Sequence, residues 1–123
     1  LRGVSVVSGV PDGGGKYLAT HSGGFHCDEA LACVFLQLLP AFQGMPVVRS
    51  RDPSVWSGEE EGEGRCAAVV DVGGVYDAAK LRFDHHQREF NKVYDGPGRE
   101  GMDGVKMSSA GLVWKHFGKQ VCE

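Results

Sequence analysis

An α/β domain, with a mostly parallel sheet covered by helices, is what this 123-residue sequence predicts. Three observations predict it. Short apolar runs suited to buried strands recur at Lys16-Tyr17-Leu18-Ala19-Thr20, Pro46-Val47-Val48-Arg49, Ala67-Ala68-Val69-Val70-Asp71-Val72 and Leu81-Arg82-Phe83. Segments of helical periodicity alternate with them, and that alternation builds parallel sheets through crossover connections. The run 67–72 is apolar on both faces, as a central strand between two helical layers must be.

The elements follow in chain order. Residues 1–15 begin with Val4-Ser5-Val6-Val7 and continue through Pro11-Asp12-Gly13-Gly14-Gly15, a flexible composition that sets the domain proper at 16–123. After the strand ending at Thr20-His21, Ser22-Gly23-Gly24 makes a tight turn where backbone can approach a ligand closely. From Asp28 the apolar residues Leu31, Ala32, Val34, Phe35, Leu38 and Leu39 recur at helical spacing, and Pro40 closes the helix. Asp28 and Glu29 fall in its first turn, where negative charge suits the macrodipole. The acidic, glycine-rich run 57–64 reads as a solvated loop, and the Gly- and Asp-rich run 95–104 as another. Ser108 or Ser109 caps a last helix carrying Leu112, Val113, Trp114, His116 and Phe117, with Gly118 as its stop.

Composition bounds the function. The length allows one domain with a real core, and 41% hydrophobic with 24% charged residues is ordinary for a globular chain. A net charge of −3 argues against a broad basic surface that grips a nucleic-acid backbone. It leaves open a nuclease whose positive charge comes from metal ions. Cys27, Cys33, Cys66 and Cys122 form no CxxC pair and no zinc-finger spacing, so reduced thiols and an intracellular setting are expected. No apolar run approaches the length of a membrane span, and no membrane partner is expected.

Three strand ends deliver polar residues: His21 with His26 and Asp28, then Asp71, then Asp84-His85-His86. Adjacent histidines on a strand would point to opposite faces, but on a turn at a strand end they can converge. In α/β sheets, sites gather at the carboxyl ends of the strands. Carboxylates crowded there are costly without a compensating cation. A mixed Asp/His set suits Mn²⁺, Fe²⁺ or Zn²⁺ better than Ca²⁺ or Mg²⁺. Two such ions sharing a carboxylate would stabilise phosphoester hydrolysis, and Asp71 on the central strand is the natural bridge. Taken singly, His26 serves equally as a capping or surface histidine, Asp28 as a helix-start acid and His116 as a structural residue. Jointly the set points to metal.

The residues also carry a longer pattern. The blocks Thr20-His21-Ser22-Gly23-Gly24-Phe25-His26-Cys27-Asp28-Glu29-Ala30, Val48-Arg49-Ser50-Arg51-Asp52, Val69-Val70-Asp71-Val72-Gly73-Gly74, Arg82-Phe83-Asp84-His85-His86-Gln87 and Ser108-Ser109-Ala110-Gly111 occur in order over about residues 17–118. In that order they resemble the motifs of the MYG-type (melanocyte-proliferating-gene) proteins, a branch of the DHH phosphoesterase superfamily. The resemblance implies a three-layer αβα sandwich, incomplete at its C-terminus. It also implies two divalent metal ions, Mn²⁺ first, with Mg²⁺, Fe²⁺ or Zn²⁺ as alternatives. The activity implied is 3′–5′ exoribonuclease action on RNA in nucleus and mitochondria.

Carried over by position, the resemblance makes His21 and His26 ligands of one metal and Asp28 of the other. Asp71 becomes the bridge, and His85 a further ligand. His86 would face the scissile phosphate, with Asp84 orienting a neighbouring imidazole. Backbone amides near Gly23 and Gly24 are candidate phosphate contacts, as are Arg49 and Arg51, which serve equally as solvated arginines. Ser108 and Ser109 are helix caps where a phosphate could also sit.

Where the superfamily usually has Asp, this chain has His26. A downstream metal-binding Asp and a C-terminal domain of the superfamily pattern have no counterpart before Glu123. From those two absences the chain is expected to be an N-terminal fragment with little or no activity alone, and from its start at Leu1 rather than Met it is expected to lack its true N-terminus with any targeting peptide. Other substrates within the enzyme reading are pyrophosphate and short or cyclic oligonucleotides. A non-catalytic metal-binding or interaction module is the reading outside it.

Overall fold

The computed structural model describes residues 4–12, 15–57, 65–93 and 106–123. Its centre is a sheet of six strands: β1 Val6–Val7, β2 Tyr17–Thr20, β3 Val47–Arg49, β4 Cys66–Val70, β5 Tyr76–Asp77 and β6 Arg82–Phe83. Their spatial order is β1-β3-β2-β4-β6-β5. Every neighbouring pair is parallel except β5 with β6. Among the described residues three α-helices accompany the sheet, α1 Cys27–Gln37, α2 Pro53–Ser57 and α3 Ser109–Val121, with a 3-10 turn at Ala78–Lys80. The fold is α/β with a mostly parallel sheet, as the alternation of apolar strands and helices predicts.

Side-chain alternation divides the sheet residues between two cores. Leu18, Val47, Ala68, Val70 and Phe83 face α1 and α3, which pack together on one side. Tyr17, Ala19, Val48 and Val69 face the other side, where Val55 and Trp56 of α2 cover them. A bulge in β4 lets Cys66 join the second group, because Tyr17 pairs with Cys66 while the next residue, Leu18, pairs with Ala68. The short α2 is pinned by Tyr17 Oη donating to the Val55 carbonyl at 2.7 Å and Trp56 Nε1 donating to the Ser50 carbonyl at 2.9 Å. Leu36 of α1 and Leu112 of α3 are both fully buried, each contributing about 2 kcal/mol of transfer free energy.

Several expectations change on contact with the structure. Val6–Val7, inside the segment read as flexible, form the edge strand and pair with Val47 and Val48, because two consecutive valines can complete β3. Helix α2 is absent from the sequence reading. Only its five residues are helical, too few for any periodicity to show. The apolar residues that α1 buries are Ala32, Cys33 and Leu36, with Leu39 buried just beyond its end, while Leu31 and Val34 of the helix and Leu38 at its C-cap lie exposed. Gly118 does not stop α3, which runs on to Val121. Its lack of a side chain makes room for Trp114, since a Cβ there would lie 2.8 Å from that indole ring. The run 95–104 and residues 58–64 of the acidic run lie outside the described residues.

The connections decide where a site can form. From β2 the chain crosses through α1 to β3 on one side; from β4 it proceeds to β6 on the other. The strand order therefore reverses direction between β2 and β4. Such a point opens a crevice at the carboxyl ends of the two strands. Here those ends deliver His21 and Asp71.

Candidate metal centre

Asp71 sits at the middle of the cluster. Its backbone takes the left-handed conformation, with φ 59°, which Asp tolerates better than most residues. That conformation turns the chain out of β4, while Asp71 N–H donates to the Phe83 carbonyl at 3.0 Å and ties the turn to β6. The carboxylate points two ways. Its Oδ2 lies 3.3 Å from His21 Nε2, and its Oδ1 lies 3.1 Å from His85 Nε2 and 3.6 Å from His86 Nδ1.

Two groups of metal-capable atoms share this residue. His21, His26, Glu29 and Asp71 bring one donor atom each within 4.8 Å of one another, and so do Asp71, Asp84, His85 and His86. His21 is the deepest imidazole, and its Nε2 is buried without a hydrogen-bond partner. Two carboxylate oxygens confront that nitrogen, Asp71 Oδ2 at 3.3 Å and Glu29 Oε2 at 3.6 Å. With Nδ1 placed 3.2 Å from the Ser22 carbonyl, Nδ1–H is the natural donor and Nε2 the lone pair. A lone pair and two carboxylates facing one point are satisfied together by a cation, so the residues fit a divalent ion.

Glu29 is the residue that the sequence reading left out of the site. Buried on the first turn of α1, it accepts from the His26 backbone N–H with Oε1 at 2.9 Å and Oε2 at 2.8 Å. The signal was present: an N-cap followed three residues on by Glu is a capping-box spacing. The spacing is disguised by its N-cap, which is a histidine, His26, rather than Ser or Thr.

Asp84 is almost wholly engaged in shaping the site. Its Oδ2 accepts from Gly74 N–H at 2.7 Å; its Oδ1 accepts from His85 N–H at 2.8 Å and faces His86 Nδ1 at 2.7 Å. Those bonds make the adjacent histidines converge, with ring centroids 4.2 Å apart. His86 remains largely exposed at the rim, its side chain 60% accessible, with Nδ1 held and Nε2 free of that bond.

Asp28, assigned to a metal by resemblance, belongs to neither group of converging atoms. Its carboxylate instead receives the N-terminus of α3, from Ser109 N–H at 3.1 Å and Ala110 N–H at 2.7 Å, and Oδ2 lies 3.0 Å from His85 Nε2. Burial alone would raise its pKa. The Ala110 N–H, the Ser108 hydroxyl, the Ser109 N–H and the His85 charge outweigh burial and hold it below the ordinary value. Asp71 goes the other way: burial first, then the Asp28 charge, push its carboxyl up against the pull of His86, His85 and His21. Cys33 feels Glu29 and Asp71, but burial is the larger effect, and its thiol is pushed up to about 12.

The proposed phosphate contacts are differently employed. Arg49 Nη2 donates to the Gly23 carbonyl at 3.0 Å, and Arg51 Nε and Nη2 donate to the Ser22 carbonyl at 3.3 and 3.1 Å. Both arginines brace the loop between His21 and His26. Ser108 caps α3 by accepting from Gly111 N–H, and Ser109 Oγ donates to the Phe83 carbonyl at 2.7 Å. The anion position at that helix N-terminus is taken by Asp28. His116 stands apart from the centre, its Nε2 2.6 Å from Tyr76 Oη.

The family MYG1_exonuc, described as Uncharacterised protein family (UPF0160), matches residues 17–123. The chain belongs to this family. Within it, the chain is 46% identical over 106 residues to human MYG1 exonuclease, 46% over 104 to the MYG1 protein of Dictyostelium discoideum, and 49% over 104 to MYG1 protein C694.04c of Schizosaccharomyces pombe. Each alignment covers 85% of this chain but only 26–28% of the relative, so the chain spans little more than a quarter of their length. No solved structure matches. Among the described residues, no helix is long and apolar enough to cross a membrane.

Proposed function

We propose that this segment forms the metal-binding part of a phosphodiester hydrolase of the exonuclease type, acting on RNA or another single-stranded oligonucleotide through two divalent ions. One observation carries the reading: the two oxygens of buried Asp71 face separate imidazole–carboxylate groups, at 3.3 Å and 3.1 Å. That is the disposition of a bridging carboxylate. The relatives named MYG1 exonuclease support the reaction class. RNA as the polymer, Mn²⁺ as the preferred ion, and nucleus and mitochondria as places of action are part of the proposal and rest on the resemblance.

Ions held at the two groups would neutralise phosphate charge and lower the pKa of water. The chain's own residues divide the remaining work. His21, His26 and Glu29 would hold the first ion, and His85 with Asp71 the second. Asp28 anchors His85 and the start of α3 against the site. Asp84 is a positioning residue: it fixes His86 through Nδ1 and leaves Nε2 to a phosphate oxygen at the rim. Arg49 and Arg51 keep the loop 22–25 in place, so that its Gly23 and Gly24 amides approach a phosphate preformed.

Anomalous scattering from Mn²⁺-soaked crystals tests the site, with two peaks flanking Asp71 as the expected result. One peak or none removes the bridge. The reaction is tested by a longer version carrying this segment, incubated with end-labelled single-stranded RNA. A Mn²⁺-dependent ladder shortened from the 3′ end is expected, and intact RNA overturns the assignment.

A further inference from the structure

The loop that carries His21 and His26 also presents an aromatic ring to solvent. Phe25 is 74% exposed, more than any other exposed large apolar residue among those described. Its place is not loose. The Arg49 guanidinium lies 3.8 Å from the ring centroid and is itself held by the Gly23 carbonyl, with Glu29 Oε1 at 3.8 Å. Arg51 fixes the Ser22 carbonyl at the root of the same loop. One face of the ring is thus backed by a braced cation, and most of the remainder is open. Beside it lies a mainly apolar recess of about 180 Å³, lined by Phe25, Val6, Ala30, Val34 and Val47 together with Glu29 and Arg49.

We propose that Phe25, backed by Arg49, is a stacking platform for one base of a single-stranded nucleic acid whose phosphodiester lies at the metal centre. This rests on the hydrolase reading above. Exposure of a large ring forfeits burial, and the Arg49 contact recovers only part of it. A ring backed by a cation on one face, one residue from His26, has its other face turned to solvent and suited to a ligand with a π-face. Stacking on aromatics is how proteins hold unpaired bases without reading their sequence. Charge agrees: in a chain of net charge −3, two arginines flank the loop where a polyanion would enter. The platform selects for bases over bare phosphate, so the favoured substrate class is oligonucleotide rather than pyrophosphate.

The test compares affinities for two ligands in the presence of Mn²⁺. One is a short single-stranded oligoadenylate with a hydrolysis-resistant backbone; the other is an abasic strand of the same length. Phe25→Ala, at an exposed position where folding is not at stake, is expected to weaken oligoadenylate binding by roughly tenfold or more while leaving the abasic strand unchanged. Phe25→Trp is expected to retain affinity and to add fluorescence quenching by the oligoadenylate only. Equal affinities for Phe25→Ala and the native chain overturn the platform while the metal-centre reading stands. A native chain that binds neither strand overturns the hydrolase reading, and the platform falls with it.

Discussion

Replacing Asp71 by Asn is the most informative single change. The amide keeps the size of the side chain and tolerates the left-handed backbone at φ 59°, so the substitution tests charge and ligation rather than strain. In the native chain, two groups share this carboxylate, so a divalent ion at about 100 times its Kd adds about 2.7 kcal/mol of stability. For a domain of this size that corresponds to a rise in Tm of roughly 10 °C. Asn offers one carbonyl oxygen and an NH2 that cannot ligate, so at least one group loses its donor. A hundredfold loss of affinity leaves only about 0.4 kcal/mol, a rise of about 2 °C. The assay is thermal unfolding with and without Mn²⁺, paired with calorimetric counting of ions. In EDTA the variant is expected to be no less stable than the native chain, because it removes a buried charge lying beside Asp28. A variant that keeps the full Mn²⁺-induced rise would refute the bridging role of Asp71.

Other consequences are measurable. Because burial raises the Asp71 pKa, its protonated form is favoured in the folded state; its contribution is present below the unfolded carboxyl value and lost as pH rises through the folded one. Without metal, the stability of Asp71→Asn relative to the native chain should therefore increase as pH rises across that window, and chemical denaturation at several pH values with EDTA reads it; a pH-independent difference contradicts the shift. Glu29→Ala removes the acceptor of the His26 N–H and the acid near Arg49, and should cost about 2 kcal/mol in denaturant unfolding; a loss under about 0.5 kcal/mol would leave the cap without energetic weight. Alkylation at mild alkaline pH, followed by intact mass, should label exposed Cys27 and Cys122 first, while buried Cys33 and Cys66, with thiols pushed up to about 12 and about 11, lag behind. Rapid modification of all four would mean that the core opens readily.

The sequence by itself determined the α/β class, the central strand ending at Asp71, and the set His21, His26, Asp84, His85 and His86. Those features are local: an apolar run followed at once by polar residues states both a buried strand and the chemistry at its end. The order of the motif blocks was legible for the same reason. What it could not state were relations between segments distant in the chain. Val6–Val7 is a strand only because β3 offers it an edge, and two residues carry no period of their own. Asp28 looks like any first-turn acid until α3 is docked, which brings the Ser109 N–H, 81 positions further along the chain, to its carboxylate. Glu29 joins the centre because α1 starts at Cys27, just after its N-cap His26, which brings the third helical residue to 3.6 Å from His21 Nε2. Arg49 braces the ligand loop because β3 lies beside β2, not because of anything near it in sequence. The two oxygens of Asp71 could be assigned to separate neighbours only once β2, β4 and β6 stood side by side. Residue chemistry is a property of the chain; which oxygen faces which imbalance of charge is a property of the packing.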